Sequence, residues 1–290
     1  LTLYTSENMT HRKSIFSLFA ALMATLLFGC AENVEKLAQP YLDRAEQSFV
    51  SQQYSLAKLQ LDSIKELFPT AFEARKKAQT MMLHVDLNES QRALHYLDSL
   101  YVLSQSIAQP LIPKFYLDKD SAYQEIGHYY DSRYRTERNV GRTYLRPQTD
   151  EKGAFALVVF YRGKDLQAHT LRFTASDGTY TEVVTPQSHS WTDASGRAER
   201  LDFTPSVEPS IASFIEMHAD KNIKVELIGD KGKAAIPFAK ADKQSLVEVA
   251  NLATHLRNIT ELENKLQDAH RRIDFVQSRL QADSLKHAAQ

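Results

Sequence analysis

Residues 171–185 read LRFTASDGTYTEVVT, and this stretch decides the fold class. Two short segments rich in β-branched and aromatic residues, Leu171–Ala175 and Tyr180–Thr185, flank Asp177-Gly178. An Asp-Gly pair between such segments signals a tight hairpin, because the turn needs positive φ and glycine adopts it without steric cost. Similar segments recur at Phe155–Tyr161, Ala198–Phe203, Ile223–Leu227 and Ala234–Phe238. Gly229-Asp230-Lys231-Gly232 supplies a second tight connection, and Lys224-Val225-Glu226-Leu227 alternates charged and apolar residues. About six short strands with short turns predict an antiparallel β-sandwich-like domain over 140–240. A short helix, Ile211–His218, is expected after Pro209, with Ser210 as its N-cap.

The flanks have a different period. Residues 34–139 are rich in Ala, Leu, Gln, Glu and Lys and contain one glycine, Gly127, while 241–285 has neither Gly nor Pro. In the latter, Ile259, Leu262, Leu266, Ala269, Ile273, Val276 and Leu280 step 3-4-3-4-3-4, the seam of a coiled coil. Leu246, Val249, Ala253 and Leu256 precede it, with a stammer between Leu256 and Leu262. Such a seam needs a partner. Phe115–Arg138 offers one, with Tyr123, Ile126 and Tyr130 in register; the alternative is pairing between chains. The expected fold is therefore α+β: helical hairpins and a long coiled-coil hairpin with an inserted antiparallel β-sandwich-like domain. Its parts are a helical region at 30–110, a first coiled-coil helix at 111–139, the β-domain at 140–240 and a second long helix at 241–290.

Tyr41, Ala45, Phe49, Tyr54, Ala57, Leu61, Ile64 and Pro69 set small, aromatic and bulky apolar residues at intervals that resemble a tetratricopeptide repeat. Ile64 departs from the alanine usual there. A weaker second unit is read at Ala78, Met82, Ala93, Leu97 and Leu100, ending near Pro110. The resemblance implies paired antiparallel helices.

Cys30 is the only cysteine. From Met9, Arg12 and Lys13 precede an apolar run, Ile15 to Phe28, followed by Gly29-Cys30, which is the layout of a secretory signal. Leu27-Phe28-Gly29-Cys30 resembles a bacterial lipobox, although Phe28 is larger than the usual residue. The resemblance implies that residues 1–29 are removed and that Cys30 carries the acyl chains, palmitate among them. With Ala31 after the cysteine, the same resemblance implies the outer membrane. Removing 1–29 takes away Arg12, Lys13 and Glu7, so the net charge of −1 becomes −2. A near-neutral chain is no electrostatic nucleic-acid binder. The C-terminal two-thirds resembles uncharacterised envelope lipoproteins of Bacteroides type, a resemblance that carries no activity.

None of the ten histidines falls in a His-x-x-x-His or His-Glu-x-x-His motif, so no metal site is expected, and no phosphate- or dinucleotide-binding motif implies a cofactor. His189-Ser190-Trp191-Thr192-Asp193 contains the residue types of a catalytic triad but reads as a loop, since a triad is defined by geometry and not by adjacency. Tyrosine and arginine crowd the approach to the β-domain, and both are favoured at protein interfaces. Tyr129, Arg133, Tyr134 and Trp191 are the candidate binding residues. The expectation is a non-enzymatic envelope lipoprotein acting as scaffold or adaptor. It would be held to the membrane by its lipid anchor and contact other envelope proteins. The alternative is a surface protein that binds a glycan or peptide.

Overall fold

The computed structural model describes residues 34–184, 186–194, 196–204 and 211–288. The signal segment, Cys30 and the expected cap Ser210 lie outside the described residues. The class is α+β. Contacts divide the chain into two units, Leu1–Tyr96 with Leu266–Gln290, and Leu97–Lys265.

The first unit contains α1 (34–50), α2 (Tyr54–Leu67), the first part of α3 (Phe72–Ala108) and the last part of α5 (Lys240–Ala288). Ala38, Leu42 and Ala45 of α1 pack with Ala57, Leu61 and Ile64 of α2. The small residues let the helices approach, and Ile64 is buried in that contact. The turn between them closes as a Schellman motif. Gln53 N–H bonds Ser48 O at 2.8 Å and Gln52 N–H bonds Phe49 O at 2.9 Å, with Gln52 at φ 57° where glycine is usual. Glu35 caps α3 by accepting from the Glu73 and Ala74 backbone N–H groups at 3.0 and 2.9 Å. The expected second repeat does not form, because α3 runs unbroken through 78–100. No Gly or Pro lies between Phe72 and Ala108 to end it.

The partner of the long helix is α3 and not 111–139. Arg272 reaches Asp86 at 3.3 Å, and Thr80 donates to Asp283 at 2.6 Å, so the pair is antiparallel. Ile273 and Val276 of the expected seam are buried. In the second unit Tyr101 donates to Glu263 at 2.8 Å. The expected first coiled-coil helix is instead a single 3-10 turn (Ile112–Lys114), strands β1 (Tyr116–Asp118) and β2 (His128–Tyr130), and two further 3-10 turns (Ser132–Tyr134, Thr136–Arg138). Tyr123, an intended seam residue, is 89% exposed. Two causes are visible. Gly127 passes so close to β1 that a Cβ there would stand 2.7 Å from Leu117 Cδ1, and the aromatic run His128-Tyr129-Tyr130 suits a pleated surface.

The rest of the second unit is a two-sheet sandwich. Strands β3 (Tyr144–Asp150), β4 (Phe155–Arg162), β7 (Gln187–Asp193) and β8 (Gly196–Phe203) join β1 and β2 in the order β1-β2-β3-β4-β8-β7. Strands β5 (Ala168–Ala175), β6 (Tyr180–Val184), β9 (Ile223–Gly229) and β10 (Gly232–Ile236) form the second sheet, β10-β9-β5-β6. The strand pairs of both sheets are antiparallel. Leu145, Leu157, Val159, Leu201 and Phe203 of the first sheet meet Leu171, Phe173, Val225 and Leu227 of the second. Ile211 and Ile215 of α4 (Ile211–Met217) and Leu246 of α5 complete this core. The Asp177-Gly178 turn is tied toward α4 by Lys221–Asp177 at 2.5 Å and by Thr179 Oγ1 against His218 Nε2 at 3.1 Å.

Candidate binding face on the six-stranded sheet

The two sheets differ on their outer faces. On the four-stranded sheet the outward charges are paired and wet: Arg172–Glu182 at 2.8 Å, Lys224–Glu226 at 2.8 Å and Lys233–Glu226 at 3.3 Å. This is an ordinary solvated face.

The outer face of the six-stranded sheet is of another kind. Residues paired across antiparallel strands share a face, so the register collects Tyr116, His128, Tyr130, Tyr144, Arg146, Gln148, Phe160, Arg200, His189 and Trp191 on one side. Tyr144, Phe160, Arg200 and His189 lie opposite one another in a single row across β3, β4, β8 and β7. Three strand spacings make that row roughly 14 Å long. Its rings stack: Tyr134 on Tyr144 at 6.4 Å, Tyr144 on Phe160 at 4.7 Å, and His189 on Trp191 at 6.0 Å.

Arg146 stands at the centre. Its guanidinium lies 4.3 Å from the Tyr130 ring centroid and 5.0 Å from that of Phe160, and the residue is 4% exposed. Among the described residues it donates no hydrogen bond and has no ion pair, and its Nε is fully enclosed without a partner. Gln148 Oε1, two residues along the same face, is likewise buried without a donor. The other arginines of the face are engaged: Arg162 binds Asp193 at 2.9 and 2.5 Å, and Arg200 binds Asp202 at 2.9 Å. Asp118, one of the nearby carboxylates, accepts the Tyr130 hydroxyl at 2.7 Å. Burial pulls the Arg146 pKa below its ordinary value, with Arg200 adding to the effect against Tyr130, Tyr144 and Asp118. Burial also lowers the pKa of His128, with Arg146 and Arg200 acting in the same sense and Asp150 and Asp118 against it.

The sequence candidates are distributed unevenly about this face. Trp191 lies on its exposed edge at 38% exposure. Its segment is strand β7 and not a loop; because every residue of β7 is exposed, the segment lacks the apolar alternation that marks a strand. Alternation also puts Ser190 on the opposite face from His189, so these residues form no triad. Tyr134 is not an exposed contact. It is 4% exposed, and its hydroxyl donates to Asp242 at 2.5 Å. Burial and that bond push its pKa far up. Arg133 is held by Asp131 at 2.5 Å beside the Tyr134 ring. Tyr129 pairs with Thr149 and so points to the other face, half-buried. Arg146, Phe160 and Arg200 were missed, although Tyr144-x-Arg146-x-Gln148 has period two. Pro147 hides that strand. It is tolerated because pairing between β2 and β3 stops at Thr149, so the β2 side of Pro147 is unpaired.

In the first unit a groove of about 820 Å³ runs between α1 and α3, lined by Leu42, Phe49, Lys76 and Met81 among others. It contains no buried polar atom without a partner among the described residues. Among those residues no cluster of three or more His, Cys, Asp or Glu could hold a metal, and no helix is long and apolar enough to cross a membrane. Comparison with family models, curated proteins and solved structures finds no match.

Proposed function

We propose that this protein is an envelope-held binding protein that works without turnover, and that its ligand lies on the outer face of the six-stranded sheet. One observation carries the reading: beside a row of aromatic and cationic side chains, Arg146 is buried between Tyr130 and Phe160 with its Nε lacking a hydrogen-bond partner among the described residues. A fold does not need such a group. Buried charges cost several kcal/mol unless paired, and unusual electrostatics of this kind concentrate at functional sites. Attachment through Cys30 remains part of the proposal and rests on the lipobox resemblance; intact mass of membrane-extracted protein tests it. The helical unit would serve as scaffold.

The binding test uses Trp191, the only tryptophan, which reports from the face itself. Envelope glycans and peptide fragments titrated into the purified chain should shift its fluorescence. The double variant His189→Ala, Phe160→Ala should weaken the effect at least tenfold. Saturable binding that this variant leaves unchanged refutes the face. Conversion of any of these ligands to product, abolished by a single polar substitution, refutes the non-enzymatic reading.

A further inference from the structure

We infer that the patch around Phe160 is the seat for the carboxylate of an acidic saccharide, with Arg146 as its principal partner and Arg200 as its second. This rests on the binding reading above and names the ligand class. Arg146 and Arg200 both approach the Phe160 ring, at 5.0 and 5.8 Å from its centroid. Two guanidinium groups on one ring repel each other, and Asp202 relieves only Arg200. The missing element is one acceptor able to take several N–H donors at once. A carboxylate is matched to a guanidinium in that way through paired hydrogen bonds.

The charges on the face also limit the ligand. Arg162 and Arg200 already have carboxylates, Asp118 lies near Arg146, and Asp150 lies near His128. A dense polyanion would be repelled by these acids. A single carboxylate on a largely neutral body would not. At the open end of the row His189 and Trp191 offer that body exposed ring faces, and the Arg200–Asp202 and Arg162–Asp193 pairs offer hydrogen-bond partners. A peptide would more naturally add to the open edge of β7 through its main chain. Stacked rings across the face of a sheet favour a flat sugar ring carrying hydroxyl groups.

The probe is a trisaccharide with one galacturonate residue between two neutral hexoses, compared with its methyl ester, in which the one carboxylate becomes a neutral ester. Calorimetry with the full purified chain at low salt should show the acid binding at least tenfold more tightly than the ester. Arg146→Met should abolish that difference, and Arg200→Met should reduce it. Bound carboxylate should also raise the His128 midpoint in the wild-type protein, read from its imidazole signals. That signal faces Asp118 on β1, Arg146 and Asp150 on β3 and Arg200 on β8, and it serves even if Arg146→Met fails to fold. Equal affinity for acid and ester, no binding of either, an unmoved His128 midpoint, or tighter binding of an acidic peptide each overturns the inference. If the trisaccharide fails while other envelope ligands still shift Trp191, the face binds something else, and only the ligand class is lost.

Discussion

Replacing Gly153 with alanine tests how the sandwich meets the long helix. Gly153 lies in the β3–β4 turn at φ 87°. A Cβ there would stand 2.2 Å from Arg257 N, 2.4 Å from Ala253 O and 2.7 Å from Arg257 Cα, all backbone atoms of α5. Real Cβ contacts do not fall under 3.0 Å, so turn and helix must separate by at least 0.8 Å. The turn is also tied there, since Thr260 donates to Lys152 O at 3.2 Å. Two costs combine. A left-handed alanine costs about 1–2 kcal/mol. Overpacking against backbone that cannot rotate aside adds about 1–3 kcal/mol. Gly178 supplies the control: its φ is 88° and nothing lies within 4 Å of its Cβ position. Gly178→Ala should therefore lose only the first amount. Urea unfolding with an unchanged slope measures both. Gly153→Ala should lose about 2–5 kcal/mol, and the excess over Gly178→Ala is the helix contact. Equal losses would mean that α5 does not press on this turn.

Three further outcomes follow from the same geometry. Tyr134→Phe should cost about 1.5–3 kcal/mol, the value of a hydrogen bond to a charged group; a loss under about 0.5 kcal/mol in chemical denaturation would mean that the Asp242 contact is not made. Gln52→Gly should stabilise the first unit by about 1 kcal/mol, because glycine removes the left-handed strain, and an unchanged midpoint would contradict the Schellman turn. His128 has a lowered folded-state pKa, so below its unfolded value the unfolded chain takes up a proton that the folded chain resists, and stability falls as pH drops from about 6.5. His128→Gln should flatten stability measured between pH 7.5 and 5, and an identical slope would show that another group governs it.

The sandwich was legible because its inner strands carry strong local signals. Alternation and the Asp177-Gly178 turn mark β4, β5, β6, β8, β9 and β10 without reference to the rest of the chain. The strands that were lost lack such signals for identifiable reasons. β1 and β2 have three residues each, too few to show a period. β3 is buried on both faces, so it does not alternate, and it carries Pro147. β7 is exposed on both faces and fails for the opposite reason. The error at 111–139 has the same root: Tyr123, Ile126 and Tyr130 step by three and four, but Tyr130 is buried by cross-strand neighbours and Tyr123 by nothing. The seam of α5 marks a stripe that needs a partner: Ile273 and Val276 are buried and its other positions half-buried. Which helix supplies the partner depends on the tertiary path of α3, which no local pattern encodes.

The binding face was hidden for a related reason, since its meaning lies in what Arg146 lacks. In the sequence Arg146 is one of many cations. Only the fold shows it between Tyr130 and Phe160, its Nε without an acceptor among the described residues. Two accounts of that arrangement differ in sign. If Arg146 is kept for packing, its stacking on two rings, about 2 kcal/mol for a desolvated cation–π contact, should outweigh desolvation, and Arg146→Met should weaken the fold. The lowered pKa points the other way, because burial disfavours the charged form, with Arg200 adding to it against Tyr130, Tyr144 and Asp118. Replacing a buried ionic group with an apolar one of similar volume is often neutral or stabilising by about 1–4 kcal/mol. Arg146→Met should then unfold at equal or higher urea while losing discrimination between acid and ester. A gain in stability coupled to a loss of recognition is the signature of a residue retained for a ligand and not for the core. A clear loss of stability in that variant would return Arg146 to the packing account.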